Sequence, residues 1–62
     1  MEHLEVGALV RLPTRPDWGV GQIQSIVADR LGDRITVNFE HAGKQVLNGA
    51  RVDLEVVGSE WL

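Results

Sequence analysis

The sequence predicts an all-β domain, a small and strongly bent barrel of five strands, and three observations carry that expectation. Ile35, Val37 and Phe39 alternate with Thr36 and Asn38, which is the period of a strand with one buried face. Glycine, proline and Asn/Asp clusters divide the chain into short runs at regular intervals, the punctuation of an antiparallel fold. No segment spaces apolar residues at the helical period over three turns, so no long helix is expected. A chain of 62 residues is too short for a two-sheet sandwich. A bent sheet that closes on itself also hides its edges.

The elements follow in order. Residues 1–6 are a polar lead, 7–57 the barrel and 58–62 a tail. Gly7 to Leu12 reads as the first strand, with Ala8 and Val10 on one face and Leu9 and Arg11 on the other. Pro13-Thr14-Arg15-Pro16-Asp17 breaks it, because proline cannot donate to a ladder and fixes φ. Trp18 to Val27 reads as a longer second strand, bent near Gly19 and Gly21. Two glycines so close within a strand mark a bulge, a bend or a close backbone approach. Residues 28–33 are a connection whose one large apolar residue is Leu31, and Gly32-Asp33 supplies hairpin chemistry into a strand from Arg34 to Glu40. A tight turn at 41–44 leads to a short strand at 45–47. Asn48-Gly49 ends that strand, and at most one helical turn is expected at 50–53 before a last strand at 54–57.

Composition limits what so small a domain can use. With no cysteine, disulfides and thiolate zinc sites are excluded, leaving a core of Val, Leu and Ile with Phe39. The absence of cysteine suits a reducing compartment. The N-terminus lacks the basic and apolar regions of a signal peptide, and no apolar run is long enough to span a bilayer. A cytoplasmic protein with no membrane partner is therefore expected. The net charge of −3 counts against nucleic acid, whose binders carry a basic excess.

The order of motifs resembles a known pattern. Leu9-Val10-Arg11-Leu12-Pro13, Trp18-Gly19-Val20-Gly21-Gln22-Ile23, Val37-Asn38-Phe39-Glu40 and Gly43-Lys44-Gln45-Val46-Leu47 resemble a small bacterial family catalogued as a domain of unknown function. They are also similar to the Tudor-like module at the C-terminus of UvrD/PcrA-type DNA helicases. Leu12 stands where those modules often have His, the loop between Pro13 and Trp18 is longer, and the helicase motor is absent. The resemblance implies an SH3-like/Tudor-like barrel serving as a docking surface. In the helicase family that module is associated with RNA polymerase, and transfer to this chain is by analogy.

Individual residues have a functional and a plainer reading. Trp18 follows an Arg/Pro loop, so with Arg11 and Arg15 it makes a candidate interface patch, Trp and Arg being the residues that dominate hot spots. Its plainer role is to cap the core. Gly19 and Gly21 are not a phosphate loop, because strand and not helix follows them. His3 and His41, without cysteine or a supporting pattern, make no metal site. Asp29, Asp33, Glu40, Asp53 and Glu55 have little concave volume in which to act as paired catalytic carboxylates. Trp18, Phe39 and Trp61 are too few, with Phe39 pointing inward, for a methyl-lysine cage. Trp61-Leu62 is an apolar end with no assigned place.

The expected function is therefore a non-catalytic protein-interaction module. Its expected partner is RNA polymerase or other transcription or DNA-repair machinery. Arg11 and Arg15 supply charged contacts, Trp18 an anchor and Lys44 a rim charge, with no cofactor and no small-molecule substrate. The alternatives are a nucleic-acid-binding barrel and a structural or self-associating barrel with no dedicated partner.

Overall fold

A computed structural model describes residues 4–58. Its strands are β1 (Leu9–Arg11), β2 (Val20–Val27), β3 (Arg34–Phe39), β4 (Gly43–Asn48) and β5 (Glu55–Gly58). All pairings are antiparallel, in one sheet of order β4-β3-β2-β1-β5. This is the all-β, five-stranded architecture that the alternation and turn spacing predict, in keeping with the SH3-like barrel that the resemblance implies. No helix among the described residues is long and apolar enough to cross a membrane.

With no helix to cover it, a single sheet buries a core only by curling around its own apolar face. Ala8, Val10 and Leu12 from the first strand region, Ile23 from β2, and Ile35, Val37 and Phe39 from β3 form that core. Val52 and Leu54, on the segment that carries the chain from one sheet edge to the other, pack against it, as does Val56 of β5. Val10 and Val37 are wholly buried.

Two features of β2 permit the curl. Gly21 sits in register between Val10 and Phe39. A Cβ there would lie 2.5 Å from Val37 Cγ1 and 2.8 Å from Phe39 Cδ1. The missing side chain is what lets β3 fold its apolar residues down onto β2. Further along, register passes from Ile23↔Val37 to Ser25↔Thr36, leaving Gln24 as an extra residue. Such a bulge bends a strand and raises its twist, so β2 pairs with β1 through its first half and with β3 along its length.

The structure corrects several sequence-based boundaries. Trp18 is not in β2 but closes a 3-10 turn, Pro16–Trp18. Pro16 opens that turn, where a missing N–H costs nothing, and Gly19 ends it at φ 76°. The first strand is shorter than expected. β4 is longer, because Gly43 and Lys44 pair with Phe39 and Asn38. The last strand is shifted one residue toward the C-terminus. Before it lies a turn in which the Arg51 and Val52 amides both donate to the Asn48 carbonyl, and no helix. Closure of the barrel is partial: among the described residues β4 and β5 form no ladder with each other.

Candidate functional site

The loop between β1 and β2 builds the most structured part of the surface. The Arg15 amide donates to the Leu12 carbonyl and the Trp18 amide to the Arg15 carbonyl. These bonds wind the Pro13–Asp17 stretch into two consecutive turns. The His41 amide then donates to the Trp18 carbonyl at 3.1 Å, tying this loop to the β3–β4 turn.

Trp18 is half-buried, with its ring centroid 5.2 Å from that of Phe39 at an interplanar angle of 58°. This tilted contact is a favourable aromatic geometry. It makes Trp18 the cap of the core, the plainer of the two roles weighed for it. The Arg15 guanidinium lies 4.7 Å from the Trp18 ring centroid, within cation–π distance. Arg15 also approaches Asp17, at 3.6 Å, while both side chains remain more than half exposed. Arg15 therefore keeps a solvated face on a ring that is itself fixed by the core.

Arg11 lies beside this stack and is not part of it. Its Nε donates to Glu55 Oε1 at 3.1 Å across β1 and β5, an exposed pair of the kind that contributes about 0–1 kcal/mol. Arg11 also borders a cleft of about 260 Å³ whose walls include Leu12, Pro13, Pro16 and Val20. Glu40 lines the same cleft and accepts a bond from the Val20 amide at 3.0 Å. That carboxylate fixes the start of β2, a role the sequence did not signal because pairing brings the two residues together from twenty positions apart.

Lys44 lies on β4, paired with Asn38 of β3. Of the four expected site residues, the fold joins Arg15 to Trp18, places Arg11 on the neighbouring cleft and carries Lys44 on another element, the outer strand β4.

The carboxylates weighed for acid–base chemistry are dispersed. Asp29 pairs with Arg34 at 3.1 Å, Glu55 with Arg11, and Glu40 with a backbone amide. Every charged side chain among the described residues is exposed. Among those residues no three His, Cys, Asp or Glu groups gather in a way that would hold a metal. His41 lies exposed in the β3–β4 turn, against Gly19. His3, Trp61 and Leu62 lie outside the described residues.

Comparison with known proteins adds one identification. Residues 4–57 match the family model described as "Protein of unknown function (DUF3553)", and the chain belongs to that family. No curated protein and no solved structure matches it.

Proposed function

We propose that the barrel is a non-catalytic docking module that presents the Arg15–Trp18 stack and the adjoining Arg11 cleft to a protein partner. The observation that carries this reading is the stack: an aromatic ring held by Phe39, with a guanidinium laid on it and open to solvent. Partners gain most from anchors that need no further ordering on binding, and Trp and Arg are the residues most often found as such anchors. The cleft beside it offers apolar walls of proline, leucine and valine, while Arg11 gives a charge at the boundary.

The resemblance to the helicase module makes RNA polymerase the first partner to test, with other transcription or repair machinery behind it, in the cytoplasm of a bacterium. Nucleic acid is a weaker reading. Arg11, Arg15 and Arg34 each lie within ion-pair distance of a carboxylate, and the chain is acidic overall, so little counterion release is available.

The test is a titration of fluorescently labelled protein with purified bacterial core RNA polymerase and, separately, with single- and double-stranded DNA. Binding to polymerase that weakens about tenfold in Arg15→Ala, with Trp18 left in place, is expected, equivalent to about 1.4 kcal/mol. Binding to DNA with a steep salt dependence, and none to polymerase, would replace the docking reading with the nucleic-acid one.

A further inference from the structure

The two sheet edges are built differently. The β5 edge shifts register against β1 between Leu9 and Val10. Irregularity of that kind is one of the devices by which edges resist pairing. The β4 edge has six residues in unbroken register with β3 from Asn48 to Gly43, and no proline. Val46 lies at its middle and is 60% exposed.

The direction of its backbone groups follows from one bond. The Gly49 amide donates to the Asp33 carbonyl at 2.7 Å. In the β3–β4 register this makes Asp33 and Gly49 a hydrogen-bonded pair, and such pairs alternate along an antiparallel ladder. Gln45 and Leu47 therefore turn their N–H and C=O groups toward β3. Lys44 and Val46 turn both groups outward, and Asn48 its N–H, where no described strand receives them; the Asn48 carbonyl is taken by the Arg51 and Val52 amides.

We propose that this edge pairs with the β4 edge of a second copy of the chain, antiparallel about a two-fold axis at Val46. In that register Val46 faces Val46 of the other copy and Lys44 faces Asn48, so the Val46 and Asn48 N–H groups of the two strands meet the outward Val46 and Lys44 carbonyls in four bonds, the Asn48 carbonyls staying with Arg51 and Val52. No like charges come opposite one another, which an antiparallel pair requires. Lys44, left out of the Arg15–Trp18 site, has a place here: opposite an uncharged Asn it discourages any register that would bring two lysines together. A shallow cleft of about 240 Å³ at the same edge, lined by Leu31, Arg34, Val46, Leu47 and Asn48, places the 78% exposed Leu31 next to the incoming Lys44, whose methylenes suit an apolar surface. One strand pair buries little area, so the association is weak and reversible. It uses the outward side of β4, whereas the docking site is built on the loop between β1 and β2.

Sedimentation equilibrium over roughly 10 µM to 1 mM, the regime of weak association, tests this, together with amide exchange at both ends of that range. The parent chain is expected to move from monomer toward dimer mass. Exchange at Val46 and Asn48 should slow with concentration, while that at Gln45 and Leu47 stays slow throughout. Val46→Pro removes the two central intermolecular donors without removing a β3–β4 bond, and Val46→Lys sets two cations face to face. Each should keep the chain monomeric while its far-UV spectrum stays that of the parent, and Val46→Lys decides the matter if the proline variant is unfolded. A parent chain that stays monomeric across the range, or a dimer that persists in folded Val46→Lys, overturns the proposal.

Discussion

The two ends of the barrel bury apolar residues to very different degrees. At the Phe39 end, Trp18 covers the core and carries Arg15 on its outer side. At the Ile35 end, Leu31 projects from the β2–β3 connection into solvent, and Val27 and Val46 nearby are also exposed. Large apolar residues occur at both ends, so composition does not separate them. The difference lies in backbone anchoring. The Trp18 loop is held by the Arg15, Trp18 and His41 amides, whereas the Leu31 turn is held by the Asp29 carboxylate, the Gly32 amide and a long 3.5 Å bond from Asn48. In the docking proposal the first end is the anchor, and in the dimer proposal the second supplies the exposed apolar surface.

Substitutions that attack the packed end should have the largest effects. Phe39→Ala removes the residue that joins Trp18 to the core and should cost about 3–5 kcal/mol. A domain of this size has only roughly 3–9 kcal/mol in total, so urea or thermal unfolding should find the variant largely unfolded. Gly21→Ala tests the curl itself. The added methyl meets Val37 and Phe39 well inside contact distance and should cost about 1–3 kcal/mol, read as a lower urea midpoint. An unchanged midpoint would show that β3 does not lie on β2 as described.

Trp18→Ala separates cap from anchor. Losing a half-buried ring should lower stability by about 1–2 kcal/mol and weaken partner binding about 30-fold, equivalent to about 2 kcal/mol. Loss of stability with unchanged affinity would leave Trp18 a packing residue only. At the open end, Leu31→Ser should alter stability by no more than about 0.5 kcal/mol and leave polymerase binding intact. A larger loss on thermal unfolding would mean that this end is packed after all, and the contrast between the two would fall.

Much of the fold was readable before any coordinates. The Ile35–Val37–Phe39 alternation located β3 and its inward face, and the breaks at Pro13–Pro16 and Gly32-Asp33 located two of the connections. What was not readable depended on residues distant in sequence. An aromatic followed by Gly-Val-Gly has the composition of a strand, yet Trp18 is drawn onto Phe39 and leaves the ladder. Gly43 and Lys44 have poor strand propensity on their own, and β3 recruits them by pairing. The Gln24 bulge has no glycine or proline to announce it. The site was legible in part for the same reason. Arg15 and Trp18 are near neighbours along the chain and do touch, Arg11 borders the next cleft, and Lys44, grouped with them for its charge, lies on β4.

The docking claim is tested most directly by a chemical-shift map of the ¹⁵N-labelled chain, including the Trp18 indole N–H, on titration with core RNA polymerase. The expected result is change or broadening confined first to Arg11, Arg15, the Trp18 indole and the amides of Gly19 and Val20. Changes confined to the β4 edge, or a spectrum unaltered at saturating polymerase, would contradict it.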